Sequence, residues 1–279
     1  MIARFTLCTF AALFIALPPA IAAPDSSTAS LPQGLQAALK GPQRSPAHAA
    51  RDKARHPGET LAFFGIRPDM RVIEVLPGGG WYTEILAPFL REHGTLIEAT
   101  PPATASNPFM RKRAQQYAAK LAADPSVYGK VRREPFELPQ YMALGAPDSA
   151  DMVLTFRNMH DLMFANVHGV PTDALMQRFF RSAYDVLKPG GVLGIVGHRA
   201  DPHMPAGKSF HLGRLPQAFV VREAGQAGFR LAASSEINAN PKDPRTEPVW
   251  KLPPSNHDAK AEAIGDADNM TLKLVKPMR

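Results

Sequence analysis

Residues 71–92 contain the pattern that most restricts what this chain can fold into. A β-branched run, 71–76 (Arg-Val-Ile-Glu-Val-Leu), is followed directly by a proline and three glycines, 77–80. Residues 81–92 then carry apolar side chains at helical spacing. A strand, a glycine turn and a helix in this order are typical of the first βα unit of an open α/β sheet.

Strand and helix signals keep alternating after this unit. Further strands are predicted at 95–99, 131–133, 151–156, 192–197, 230–236 and 270–275, and helices at 107–123, 172–187 and 216–225. The helix at 172–187 is expected to begin at an N-cap, Thr172 or Asp173, and to stop before Pro189-Gly190-Gly191. Because each crossover places a helix on a face, this order predicts a mostly parallel sheet covered on both faces. Residues 240–267 lack a clear period and are predicted to form a long loop.

The first 22 residues are typical of a cleaved export signal. Arg4 supplies a positive charge, residues 5–17 an apolar run, and Ala20-Ile21-Ala22 a small-x-small cleavage site. We therefore expect a signal peptide at 1–22, a mobile lead-in at 23–50 with a short helix at 31–40, and a domain at 51–279. The product would be periplasmic or secreted; a retained membrane anchor is the alternative. Cys8, the single cysteine, lies in this signal, so the mature chain would contain no thiol.

The basic charge of the chain does not indicate a nucleic-acid site. The formal net charge is +7, but Lys and Arg are spread along the sequence. The densest run, 111–113, falls in a predicted helix, where a solvated face is the simpler explanation. We expect a small-molecule substrate as the partner, and neither nucleic acid nor, after cleavage of the signal, a membrane.

The glycine turn favours one of two cofactor classes. Glycine lets a ligand approach the backbone, and the following helix offers free N–H groups. A dinucleotide fingerprint needs a third glycine where this chain has Thr83. Glu74, Gly78 and Gly80 instead match acidic-x-Gly-x-Gly-x-Gly, with Leu76 at the first glycine position. This resembles motif I of the S-adenosylmethionine-dependent methyltransferases. A tight turn that binds nothing is the alternative.

The resemblance to this family extends over about residues 55–236. Residues 67–72 look like the turn before its first strand, 134–139 (Glu-Pro-Phe-Glu-Leu-Pro) resemble its Asp-Ala-x-x-Leu-Pro segment, and 151–154 its fourth strand. Residues 187–193 match its Leu-Lys-Pro-Gly-Gly turn. The chain looks like a signal-bearing branch of predicted class I methyltransferases. The resemblance implies a Rossmann-like α/β fold with a seven-stranded, mostly parallel sheet whose last strand is antiparallel.

The resemblance also implies S-adenosylmethionine as the cofactor and assigns its contacts. The expected cofactor-binding residues are Glu74, Pro77, Gly78, Gly79, Gly80, Tyr82, Thr83, Thr100, Glu134 and Arg157. Glu134 stands where the family holds the adenine amino group. Thr100 stands where the family has the carboxylate that binds the ribose, and this neutral residue should weaken binding; Glu98, two residues earlier, is the other candidate. Trp81 and Tyr82 either stack on a ligand or anchor the first helix.

The loop after the fourth strand is the candidate site of chemistry. His160 is expected to act as a general base and Asn158 to orient the acceptor, although both could be ordinary structural residues. Five histidines occur in loops at this edge, but their spacing matches no metal motif, and no metal is expected: His160, His168, His198, His203 and His211. Three interpretations stay open: a methyltransferase, a non-catalytic exported binding protein on the same scaffold, and a nicotinamide- or metal-dependent enzyme. Export bears on this choice because adenosylmethionine is made in the cytoplasm.

Overall fold

The computed structural model describes residues 31–168 and 173–278, with the side chains of 164–168 excepted. The signal at 1–22, the start of the lead-in, and Thr172 lie outside the described residues. Asp173 occupies the N-cap position of its helix, but its side chain makes no capping hydrogen bond. Among the described residues, no helix has both the length and the apolar character needed to cross a membrane.

A seven-stranded sheet forms the centre of the molecule. Its strands in space run in the order β3-β2-β1-β4-β5-β7-β6. Only β7 is antiparallel to its neighbours, β5 and β6, which confirms the predicted sheet with its antiparallel last strand. The strands are β1 Arg71–Val75, β2 Thr95–Thr100, β3 Arg132–Pro135, β4 Ala150–Phe156, β5 Leu187–His198, β6 Arg230–Ser235 and β7 Asn269–Val275.

Helices surround this sheet, and the long ones fall where the sequence predicts them. The described helices are α1 Leu35–Lys40, α2 Pro46–Ala49, α3 Asp52–Arg55, α4 Pro57–Phe64, α5 Thr83–Leu90, α6 Pro108–Ala123, α7 Pro125–Tyr128, α8 Ala174–Val186, α9 Ala206–Ser209, α10 Gln217–Gln226 and α11 Ala259–Ile264. The start of α6 shows the local cause: Asn107 Oδ1 accepts from the backbone N–H groups of Phe109 and Met110, and Pro108 is the first helical residue.

Two hydrophobic layers cover the two faces of the sheet. Alternate residues of a strand point to opposite faces, so Val72 joins one layer and Ile73 the other. The layer around Ile73 contains the apolar side of α8, including Phe179 and Phe180. The layer around Val72 contains α5. Both faces are therefore sealed, and the strand ends remain as the place for a ligand.

The N-terminal segment packs on the domain, which differs from the expected boundary near residue 51. Leu35 and Ala38 are buried in the layer around α5. Glu84, in the first turn of α5, draws this segment in: its carboxylate lies 2.9 Å from His48 Nδ1 and 3.4 Å from Arg44 Nε. Residues 31–50 therefore belong to the folded unit.

Two further segments differ from the sequence prediction. Residues 240–267, expected to be a plain loop, contain a 3₁₀ turn at Val249–Lys251 and the helix α11, with a small apolar cluster of their own. The predicted turn at 189–191 lies inside β5. There the pairing with β4 passes from Ala150–Leu187 to Met152–Val192, so the extra residues form a bulge.

Candidate functional site

A cavity of about 660 Å³ opens at the carboxyl ends of the strands. It lies where β1 has β2 on one side and β4 on the other, which is the position at which open α/β sheets bind ligands. Its wall comes from the N-terminal helices, the glycine loop, the ends of β2, β3 and β4, and the start of α6. The lining includes His48, Arg51, Arg55, Glu74, Leu76, Pro77, Gly78, Gly79, Trp81, Tyr82, Thr100, Ser106, Phe109, Met110, Phe136, Glu137, Phe156, Arg157, Asn158 and Asp161.

Two neighbouring strands end in a left-handed residue at this cavity. Leu76, directly after β1, has φ +54°, and Arg157, directly after β4, has φ +62°. Side chains other than glycine rarely adopt this conformation, and it concentrates at functional sites. Leu76 stands at the first glycine position of the motif, and its positive φ is a conformation that glycine adopts readily.

The three glycines of the loop have different structural reasons for lacking a side chain. Gly78 has φ +61° and lines the cavity. Gly79 also lines it, and a Cβ there would meet no atom within 4 Å. Gly80 does not line the cavity; a Cβ there would lie 2.9 Å from the ring of Tyr117. The sequence analysis assigned Gly80 to the ligand, but the close approach of Tyr117 explains this glycine.

Glu74 and Glu98 form a buried pair of carboxyl groups beneath the loop. They are register partners on β1 and β2, and both are inaccessible to solvent. Burial raises the pKa of Glu74 to about 7, because the charged form is poorly solvated there. Burial, followed by the neighbouring Glu74, raises the pKa of Glu98 well above its ordinary range. Glu98 is outside the cavity wall, so of the two candidates for the ribose only Thr100 faces the cavity.

Thr83 supports Glu74 and does not line the cavity. Its hydroxyl donates to Glu74 Oε2 at 3.2 Å and lies 2.9 Å from the hydroxyl of Tyr117. Thr83 is fully buried, and its predicted contact with a cofactor is not what the structure shows. Glu74 itself does reach the wall of the cavity.

The ends of β2 and β3 supply the far side of the cavity. Thr100, the last residue of β2, lines it as predicted. Glu134 does not: it is exposed and lies within β3, which runs on to Pro135. The wall begins with Phe136, whose N–H donates to Thr100 O at 2.8 Å, and with Glu137, which accepts from the N–H and hydroxyl of Ser106. Of these two glutamates, therefore, only Glu137 lines the cavity.

The two predicted catalytic residues both follow β4, but only one of them lines the cavity. Asn158 lines the cavity, but its amide is already bonded: it donates to Val75 O at 2.9 Å and accepts from the hydroxyl of Thr155. His160 lies behind the wall, and burial lowers its pKa, so its imidazole is neutral at neutral pH. Asp161, in the same loop, does line the cavity, and burial raises its pKa. The structure therefore places Asn158 at the cavity, where its amide holds the ends of β1 and β4 together. His160 does not reach the cavity.

Trp81 and Tyr82 anchor the first helix and also line the cavity. The ring of Tyr82 stacks on Phe156 at 3.5 Å between centroids, and Trp81 Nε1 donates to His48 O at 2.9 Å. Both residues are buried and both line the cavity. They anchor α5 and the N-terminal segment, and they give the cavity an aromatic wall.

The N-terminal helices bring arginines that the sequence analysis missed. Arg51 and Arg55, at the start of the predicted domain, line the cavity. Their spacing of four residues, which places them on one face of a helical turn, was the available signal. No three His, Cys, Asp or Glu side chains within the described ranges are grouped closely enough to hold a metal ion.

Solved structures resemble this chain in fold. A SAM dependent methyltransferase from Aquifex aeolicus aligns with a TM-score of 0.52 at 16% identity, over 84% of this chain and 94% of that one. Geranyl diphosphate C-methyltransferase from Streptomyces coelicolor A3(2), solved with S-adenosyl-L-homocysteine, aligns with a TM-score of 0.53 at 12% identity, over 86% and 87%.

The chain has the class I methyltransferase fold.

The fold does not fix the reaction. The [4+2]-cyclase SpnF aligns with a TM-score of 0.55 at 15% identity, over 86% of both chains. No protein-family model matches the sequence, and no curated protein matches it. The chemistry must therefore be argued from the residues of the cavity.

Proposed function

We propose that this protein is an S-adenosylmethionine-dependent methyltransferase that acts on a small molecule. The observation that carries the proposal is the composition of the cavity wall at the junction of β1 and β4. The open backbone at Gly78 and Gly79, the carboxyl of Glu74 beneath them and the polar end of β2 at Thr100 lie along one wall. The volume of about 660 Å³ suits a nucleoside-sized ligand together with a small acceptor.

The residues of the wall fit this cofactor without a metal. Gly78 and Gly79 let a ligand lie against the backbone, and Phe136 and Met110 offer apolar contacts for a flat ring. The cofactor supplies an electrophilic methyl group, so alignment of the acceptor carries much of the acceleration. Asp161, whose pKa burial raises, is the wall residue placed to take a proton from an acceptor.

Titration with S-adenosylhomocysteine tests the proposal. The whole chain should bind it, and Gly79→Val should abolish binding without changing the melting temperature, because the new side chain has free space but projects from the cavity wall. Gly207→Val is the matched control, since the Cβ position of Gly207 is also open and lies outside the cavity. Failure of the parent protein to bind would rule out the methyltransferase and favour a non-catalytic binding protein. Equal binding by parent and Gly79→Val would place the ligand elsewhere.

Thr100→Asp should strengthen binding of S-adenosylhomocysteine by about tenfold. A carboxylate accepts from both ribose hydroxyls, whereas a Thr hydroxyl is a single neutral acceptor, and a hydrogen bond to a charged acceptor contributes about 1.5–3 kcal/mol. Calorimetric titration measures the gain. Thr95→Asp, at the opposite end of the same strand, is the control and should leave affinity unchanged. Unchanged or weaker binding by Thr100→Asp would show that the ribose does not lie at the end of β2.

A further inference from the structure

Three arginines meet at one wall of the cavity. Arg51 and Arg55 come from the N-terminal helices, and Arg157 follows β4. Arg51 Nη2 lies 3.7 Å and Arg55 Nε 3.6 Å from the same carboxylate oxygen of Asp266. Arg157 is close enough to interact electrostatically with both Asp266 and Arg51. The chain thus concentrates three positive charges around one carboxylate.

Apart from the ion pairs with Asp266 and an interaction of Arg157 with the Tyr82 hydroxyl, the donors of this cluster are buried and unpaired. Nη1 and Nη2 of Arg157, Nε and Nη2 of Arg51, and Nε of Arg55 are inaccessible to solvent and have no hydrogen-bond partner among the described residues. Burial raises the pKa of Asp266, the carboxylate that pairs with Arg51 and Arg55. A guanidinium group keeps its charge in proteins, so it cannot relieve this cost by losing a proton.

Two other arginines of the chain, Arg214 and Arg199, have carboxylate partners at hydrogen-bonding distance. Arg214 donates through both Nη atoms to Asp243 at 2.7 and 3.2 Å. Arg199 donates to Asp268 at 2.8 Å and to Glu236 at 2.6 Å. Among the described residues, the three arginines at the cavity lack a carboxylate at hydrogen-bonding distance. A ligand that supplies the acceptor best explains these unpaired donors.

We propose that the methyl acceptor carries an anionic group, a carboxylate or a phosphate, that binds Arg51 and Arg157 at this wall. The inference rests on the proposed function, because it names the acceptor of that same site. The aromatic wall formed by Trp81, Tyr82 and Phe156 stands beside the arginines and takes the apolar body of the acceptor. Guanidinium forks match both anions geometrically, so the experiment separates the two.

Binding of three small probes tests the proposal on the whole chain. Benzoate and phenyl phosphate present the two anions on a ring, and benzamide is the uncharged analogue of benzoate. Titrations run at constant ionic strength, set with chloride, with and without saturating S-adenosylhomocysteine. We expect benzoate or phenyl phosphate to bind in both conditions and benzamide to bind at least about tenfold more weakly. The tighter of the two anions identifies the group.

Two variants and a control locate the site. Arg157→Gln and Arg51→Gln should each weaken anion binding at least about tenfold, while Arg132→Gln, exposed on β3 outside the cavity, should not. Arg51→Gln should bind S-adenosylhomocysteine and 5′-methylthioadenosine like the parent. Arg51→Gln decides the question if Arg157→Gln does not fold.

Three outcomes would overturn the proposal. Equal binding of benzamide and benzoate would show that charge is not recognised. Unchanged anion binding in a folded Arg157→Gln or Arg51→Gln would place the anion elsewhere. Loss of S-adenosylhomocysteine but not of 5′-methylthioadenosine, which lacks the carboxylate, would assign the arginines to the cofactor. A parent protein that binds the anions but no S-adenosylhomocysteine would instead refute the methyltransferase while supporting the anion site.

Discussion

Asp243→Ala is expected to lower the free energy of unfolding by about 3–5 kcal/mol, because it leaves a buried arginine without its partner. Arg214 and Asp243 are both 0% exposed, and the carboxylate accepts from both Nη atoms of Arg214. It also accepts from the backbone N–H of Asp268 at 2.7 Å and of Arg245 at 2.9 Å. The ion pair thus fastens residues 240–267 to the sheet. Denaturant unfolding measures the loss.

An exposed ion pair of the same chain provides the control. Arg67 and Asp69 lie 3.3 Å apart, and their side chains are 60% and 63% exposed. Asp69→Ala should change the free energy of unfolding by less than about 1 kcal/mol, because water solvates both charges. A loss below about 1 kcal/mol for Asp243→Ala as well would contradict the structural role given to the buried pair.

Glu98→Gln is expected to make the protein more stable than the parent at pH 8 and to change little at pH 4.5. Glutamine has the shape of a protonated glutamic acid but cannot ionise. In the folded parent, burial and Glu74 hold the pKa of Glu98 well above its ordinary value of 4.5. Below pH 4.5 both the folded and the unfolded chain carry the neutral acid, so its contribution to stability is fully present.

As the pH rises above 4.5, Glu98 ionises first in the unfolded chain. The free energy of unfolding of the parent then falls until the pH passes the pKa of Glu98 in the folded protein. Glu74 follows the same course: with a folded pKa of about 7, it alone lowers the stability of the parent by about 3 kcal/mol between pH 4.5 and pH 7. Because other groups titrate equally in both proteins, the difference between parent and Glu98→Gln isolates the pair. Unfolding in denaturant at several pH values measures it.

Glu92→Gln is the control for this comparison. Glu92 is 68% exposed, and its stability difference from the parent should stay within about 0.5 kcal/mol at every pH. A Glu98→Gln variant that is no more stable than the parent at pH 8 would show that the pair does not hold an extra proton. The Glu74 carboxyl beneath the glycine loop would then be a simple anion at neutral pH.

The sequence alone determined the elements of the fold, because their signals are local. The period of apolar residues at 71–76 and at 81–92 predicted β1 and α5, and the alternation that follows predicted the seven-stranded sheet. The end of the first strand was also legible: Gly78, Gly79 and Glu74 lie at the cavity because a glycine loop after a parallel strand always faces the edge of the sheet. Thr100 was identified through the family resemblance, at the end of β2.

Only the tertiary structure decided which side chains share a space. Gly80 is explained by the ring of Tyr117, 37 residues later in the chain, and Thr83 by Glu74. Glu134 lies outside the cavity because β3 continues to Pro135, which leaves this side chain exposed within the strand.

The arginines are the clearest case of what the sequence could not show. Arg51 reaches the cavity because His48, three residues earlier, is held at Glu84 of α5. These contacts join residues dozens of positions apart, and their free energy depends on burial and on charge at a distance. The periodicity of apolar residues carries no information about such contacts. The sequence therefore predicted where the site lies, and tertiary packing determined which charged groups surround it.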